Sequence, residues 1–184
     1  MFLGQGVFTF SIRRYMPRRD LTRPWEIQLE LETAKGNHIE NVQTSEPIPI
    51  GTINGFESRF RRLFPNIVER TQRATGKYNC HGMVFASRRT QIYEPQLLRQ
   101  ILSEDGYTKI SENYILPGDI ALYVSDSGQI DHSAVVVERP PAEAFAKIPK
   151  VFSKWGAWVE VIHLANECPW AQEVGTTIEY YRMV

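Results

Sequence analysis

A chain of 184 residues, 42% of them apolar, can bury one domain-sized core with a small N-terminal addition, which excludes a disordered chain. Lysine plus arginine and aspartate plus glutamate balance at 21 each, which argues against a chain-wide nucleic-acid surface. No apolar run approaches the length of a membrane span, so neither nucleic acid nor membrane is an expected partner.

In chain order, residues 7–12 read as a short strand. An arginine-rich segment, residues 13–23, holds Arg13, Arg14, Arg18, Arg19 and Arg23. Such a run grips phosphates or an acidic protein partner when it is not a solvated loop. Residues 25–32 place Trp25, Ile27, Leu29 and Leu31 on one parity and charge on the other, the strongest period-two pattern here and the mark of a half-buried antiparallel strand. Residues 34–37 form a turn, and Pro47, Pro49, Gly51, Asn54 and Gly55 make a breaker-rich connection. Residues 1–55 therefore read as a β-rich extension, and 56–184 as the main domain.

From Phe56 to Arg73 the spacing is helical, with Pro65 predicting a kink or two short helices. A second helix opens at Asn79-Cys80, and a third runs from Glu94 to Leu102, stopped by Gly106. Beyond it, residues 120–124, 131–138, 151–156, 158–164 and 178–183 read as strands separated by turns. Helices first and consecutive strands after predict an α+β domain with helices packed on an antiparallel sheet.

Asn79 is a strong N-cap residue, which puts Cys80 at a helix start, where unpaired N–H groups favour a thiolate. A thiol nucleophile needs a base within reach and a group to orient that base. His38 lies in a polar turn. His81 adjoins Cys80, but successive helical side chains diverge by about 100°. His132 opens an apolar strand and His163 shares the parity of Val159 and Val161, so both are ionisable groups where the pattern accepts valine. Cys168 lies in a loop and reads as structural. Cys80, His81, His163 and Cys168 lack ordinary zinc spacing, so neither metal nor cofactor is expected.

Asn79-Cys80-His81-Gly82-Met83-Val84-Phe85 opening a helix, then Pro117-Gly118-Asp119-Ile120-Ala121-Leu122-Tyr123, then His132-Ser133-Ala134-Val135-Val136 resembles the NlpC/P60 branch of papain-like cysteine peptidases. The resemblance covers about residues 78–163. It implies a papain-like core in which Cys80 is the nucleophile, His132 the general base and His163 the orienting residue, with Ser153 as the alternative third member. Tyr78 and Asn79 fall where oxyanion or substrate contacts would be, and Ser153 and Trp155 where the cleft would be lined. The implied activity is hydrolysis of peptide-type amide bonds through a thioester, on a peptide, peptidoglycan-like or protein substrate. Typical cell-wall members carry Asp before the nucleophile and Ser after it, where this chain has Asn79 and His81. The first residues carry neither a basic n-region nor a continuous apolar core, so the expected location is the cytoplasm, or outside by a route needing no such signal. Two other readings stay open: an acyltransferase or deamidase with the same thiol chemistry, and a non-catalytic binding module using the arginine-rich segment with Trp25, Trp155, Trp158 and Trp170.

Overall fold

Apolar runs too short to fold alone gain stability by pairing side by side and burying both faces of the resulting sheet. In the computed structural model, which describes residues 25–71, 73–140 and 147–184, seven do so: β3 (Val68–Glu69), β4 (Tyr107–Ile110), β5 (Ile120–Val124), β6 (Ile130–Glu138), β7 (Lys150–Lys154), β8 (Glu160–Leu164) and β9 (Thr177–Met183). Their order is β3-β8-β7-β6-β5-β9-β4, and every neighbouring pair is antiparallel. A separate ribbon joins β1 (Glu26–Ile27) to β2 (Gln43–Thr44). The helices are α1 (Ile50–Leu63), α2 (Cys80–Phe85) and α3 (Pro95–Glu104). The protein is thus α+β, built on an antiparallel sheet.

The two sheet faces carry different cores. One packs Ile120, Leu122, Val124 and Ile130 against Ala86 and Ile92 near α2, Leu98, Ile101 and Leu102 of α3, and Ile39. The other packs Ala121, Tyr123, Ala134, Val136 and Val151 against Phe60 of α1, Trp155 and Trp158 of the β7–β8 turn, and Cys168. Phe60 meets Trp155 edge-on with centroids 5.0 Å apart at 78°, and Phe64 does the same at 5.2 Å and 77°. Such geometry adds about 0.5–1.5 kcal/mol per pair beyond area burial.

The turn into β5 is fixed by charge as well as by backbone. Gly118 adopts φ +96°, a region closed to most side chains. The buried Asp119 carboxylate accepts the Leu116 N–H at 2.6 Å and a two-pronged contact from Arg182 on β9 at 2.7 and 2.8 Å.

Several expectations are revised. The alternating stretch 25–32 pairs as a strand only at Glu26–Ile27, with an isolated bridge between Glu32 and His38. Its middle is served by a side chain: the Asn41 amide accepts the Leu29 N–H at 3.1 Å and donates to the Leu29 carbonyl at 2.8 Å, standing in for a neighbouring strand. The first helix begins at Ile50 rather than Phe56, so the expected domain boundary at residue 55 falls inside α1. Pro49 pre-sets the entry φ at −56°, and packing of Phe60 and Phe64 onto the tryptophans, with Phe56 stacked on Phe60, outweighs the low helix propensity of Gly51 and Gly55. The helix stops before Pro65 instead of kinking through it. Residues 68–69, expected to be helical, instead pair as a strand against β8, and residues 107–110 form a strand the sequence reading left unassigned. The expected strand 7–12 and the arginine-rich segment 13–23 lie outside the described residues. Among the described residues no helix is long and apolar enough to cross a membrane.

Candidate functional site

Asn79 caps α2 as expected, its side-chain oxygen accepting the Gly82 N–H at 2.8 Å. The same amide also grips the segment after the helix, accepting the Ile92 N–H at 3.2 Å and donating to the Ile92 carbonyl at 2.6 Å. Asn79 is therefore a structural clamp as well as a cap. Gly82 sits so close to the returning chain that a Cβ there would lie 1.6 Å from the Thr90 carbonyl oxygen. After α2 the chain turns back through two left-handed non-glycine residues, Ser87 at φ 49° and Arg88 at φ 63°. This turn aims the Arg88 guanidinium at Glu160, 2.6 Å away.

The thiol of Cys80 is buried against β6. Hydrogen bonding from the backbone at Ser133, His81 and Cys80 itself and from the Ser133 side chain pulls its pKa down. Burial nevertheless dominates and pushes the thiol up to about 11, so the resting group is S–H. On the far side of the Ser133 hydroxyl stands His81, its Nδ1 3.0 Å from Oγ. Desolvation lowers the His81 pKa to about 4, which keeps the ring neutral at ordinary pH.

Strand register explains the neighbours. Ala134 pairs with Ser153 and Lys154 with Glu160, so Ser133, Lys154 and Glu160 form a row across three strands on the face under α2. Lys154 is fully buried, donates to the carbonyls of Gly156 at 2.8 Å and Trp158 at 2.5 Å, and lies 5.5 Å from the Tyr78 ring centre. Burial lowers its pKa to about 8, against the opposing pull of Glu160 and Cys80. Glu160 accepts from the Tyr78 hydroxyl at 2.8 Å and from Arg88. Tyr78 is thus tied to Glu160 rather than directed at Cys80. The sequence reading missed Ser133, Lys154 and Glu160. The available signal was a polar residue in a strand segment with no polar alternation around it.

His132 and His163 are on the other face. A bulge between Tyr123 and Val124 in the β5–β6 register lets Ile130 and Ser133 share one face while His132 leaves the opposite one. There the His132 ring stacks flat on Trp170, with centroids 3.6 Å apart and planes 3° from parallel, and leans on Tyr123. Neither of its nitrogens has a hydrogen-bond partner among the described residues. Burial holds its pKa well below the usual histidine range. His163 Nδ1 donates to the Leu164 carbonyl at 2.7 Å, which leaves Nε2 to accept from Ser153 at 2.7 Å. Ser153 in turn accepts from the Trp155 indole at 2.9 Å. The two expected candidates for third residue, His163 and Ser153, are thus bonded to each other in a satisfied core network with Trp155. The expected alignment of Cys80 with His132 and His163 is corrected: the sheet stands between the thiol and both rings. Cys168 is free and fully buried in the α1-side core, Sγ 3.9 Å from the Ala165 carbonyl. No cluster of three or more His, Cys, Asp or Glu suited to a metal occurs among the described residues.

Comparison with known proteins finds no matching family model, no matching curated protein and no matching solved structure. Fold and site define an α+β protein with a buried cysteine at the start of a short helix, above a polar row on an antiparallel sheet.

Proposed function

We propose that the chain is a cysteine-dependent hydrolase of peptide-type amide bonds, working through a thioester on Cys80, with a papain-like arrangement of helix and sheet. One observation carries this reading: Cys80 opens a helix capped by Asn79, above the sheet face that carries Ser133, Lys154 and Glu160. Unpaired N–H groups at a helix start favour a negative charge beside them. The resemblance to the NlpC/P60 pattern supports the same assignment, and supplies peptide or cell-wall peptide as the substrate class. In the reaction, Cys80 sulfur bonds to the amide carbonyl carbon as its S–H bond breaks, and the C–N bond breaks as the leaving amine takes up that proton. Water then cleaves the thioester to the acid and restores the thiol. His132 and His163, on the other side of the sheet, take no part.

The test is to incubate the protein and Cys80→Ala with peptidoglycan fragments and with a cell lysate, and to search by mass spectrometry for new amine ends. Products formed by the wild type alone support the reading; identical spectra remove it. Transfer of the acyl group to an added amine, or conversion of glutamine to glutamate, would move the protein to the acyltransferase or deamidase class. The non-catalytic reading is favoured by one fact, that Cys80 and Cys168 are both buried thiols pushed up to about 11. Equal, slow iodoacetamide labelling of the two would select it.

A further inference from the structure

We propose that residues 166–176 form a strap that stays closed over His132 while that ring is neutral and lifts when the ring takes up a proton. The strap covers the sheet face away from Cys80, so the proposal stands apart from the hydrolase reading.

His132 is fully buried, and neither ring nitrogen has a hydrogen-bond partner among the described residues. Trp170 of the strap covers it, stacked flat with centroids 3.6 Å apart and planes 3° from parallel. Trp170 also meets Trp155 edge-on at 6.5 Å, and Cys168 of the same strap is buried in the same core. The hydrogen bonds of the strap, by contrast, are local. The Glu167 N–H donates to the Leu164 carbonyl, Gln172 to Pro169, Glu173 to Trp170 and Thr176 to Glu173, while the Gln172 side chain donates to the Asn166 carbonyl. Of these partners only Leu164, at the root, belongs to a strand. Gln172, Glu173 and Val174 on the outer edge are exposed. Ring packing and one buried thiol therefore hold down a segment whose own bonds survive its lifting, the mark of a unit that opens locally.

A neutral imidazole can stay in such a stack. An imidazolium brings a charge and two N–H donors to a place with nothing to accept them. The Trp170 face attracts a cation but offers no acceptor to either N–H. The surrounding ionisable groups give no relief. Tyr123 on β5 donates its hydroxyl to the Ala165 carbonyl, and Tyr180 on β9 flanks Tyr123. His163 on β8 and His81 on α2 both oppose a charge on His132, in the same direction as burial. On β7, Ser153 is engaged by His163 and Trp155, and Lys154 leaves the opposite face. Glu57 and Arg61 of α1 pair with each other at the surface. The strap's own acids are Glu167 and the exposed Glu173, and the Asp126 carboxylate abuts Gly175 at its far end. Once the strap lifts, water accepts both N–H groups. Proton uptake and opening thus favour each other.

The experiment is amide hydrogen exchange in the full chain, read by mass spectrometry between about pH 7.5 and 5.5, with each rate divided by the intrinsic rate at that pH. The strap peptide, residues 166–176, is followed beside the β5 peptide, residues 120–124. In the wild type the strap's opening constant should rise about tenfold over this range, since an exposed histidine titrates near 6.5. The β5 amides should exchange more slowly than the strap's at every pH, because they need the larger, global opening. His132→Phe keeps a flat ring under Trp170 and removes the proton site, so its strap should open equally at both ends of the range. His132→Leu removes ring and proton site together: its strap should open more than wild type at neutral pH and again show no rise. This second variant decides the matter if the first does not fold. His163→Gln and His81→Gln should keep the wild-type rise. A wild-type strap that opens equally at both pH values, or that exchanges only as fast as β5, overturns the proposal. So does a rise that persists in His132→Phe or His132→Leu, or that disappears in His163→Gln or His81→Gln.

Discussion

His132 and Ser133 are consecutive in β6, yet the sheet separates them. The Ser133 hydroxyl lies 3.0 Å from His81 Nδ1 under α2, while the His132 ring lies 3.6 Å from the Trp170 ring on the opposite side. Strand geometry makes this an either–or choice, since successive side chains leave opposite faces. Whichever residue faces α2 becomes the neighbour of Cys80, and here it is the serine.

A first prediction concerns His132. Its two nitrogens are buried without partners among the described residues, so the ring behaves as an aromatic plate between Trp170 and Tyr123. His132→Phe keeps a flat ring and removes two desolvated polar atoms. Urea denaturation should place it within about 1 kcal/mol of wild type or above it. His132→Ala opens a cavity beside Trp170 and should cost about 3 kcal/mol. A loss of several kcal/mol in the phenylalanine variant would show that the imidazole nitrogens contribute to the fold.

The sequence disclosed β5, β6, β7, β8 and β9, because runs such as Ile120–Val124 stand between clear turns. It also disclosed the capped start of α2, since Asn79 has a local mechanism. Which face His132 would take was not legible. Burial is nearly continuous along the first half of β6, so no alternation marks inside from outside, and one bulge beside Val124 resets the parity. The stretch 25–32 failed in the opposite way. Its alternation is clear, but a ladder needs a partner strand, and beyond Ile27 the Asn41 side chain takes that place. Likewise, the α1 start was hidden by two glycines whose cost is offset by phenylalanine packing from elsewhere in the chain.

The clamp holding α2 gives a second prediction. Asn79→Ala loses the cap to Gly82 together with both bonds to Ile92, and should cost about 2–3 kcal/mol, more than an ordinary cap. Gly82→Ala would thrust a methyl group into the Thr90 carbonyl, which is backbone and cannot rotate aside. It should cost about 3 kcal/mol. Both losses are readable by urea titration with an unchanged m-value. Near-wild-type midpoints would mean that α2 does not lie against residues 90–92.

Histidine burial sets a third prediction. His81 and His163 are held to about 4 and His132 well below its usual range, in each case by desolvation first. Below about pH 6.5 the unfolded chain therefore takes up protons that the folded chain refuses. The contribution of these rings should be flat above that point and fall as pH drops toward 4, by as much as about 1.4 kcal/mol per pH unit for each ring. The contributions of His81 and His163 then level off below about 4. Unfolding midpoints measured across this range check the slope, and His132→Phe should shallow it by the share of one ring. A midpoint independent of pH between 6.5 and 4 would mean that the rings are solvated.

The row on the α2 face supports a last prediction, about Lys154. Its ammonium is fully buried and its pKa is lowered to about 8, burial winning over the opposing attraction of Glu160 and Cys80. Glu160→Gln keeps a carbonyl oxygen able to accept from Tyr78 but removes the negative charge opposite Lys154. The Lys154 pKa should fall further, bringing the amine to neutrality near physiological pH. Titration of the Lys154 side chain by NMR, or its rate of acetylation at neutral pH, reads the change directly: lower pKa and faster acylation in the variant. Stability should fall modestly, by about 1–2 kcal/mol, because the Arg88 contact loses its charge assistance while the Tyr78 bond survives. Cys168→Ser, in the other core, should leave the Lys154 titration where it is. An unshifted Lys154 in Glu160→Gln would mean that the two side chains do not face each other across β7 and β8, and the polar row beneath Cys80 would lose its outer member.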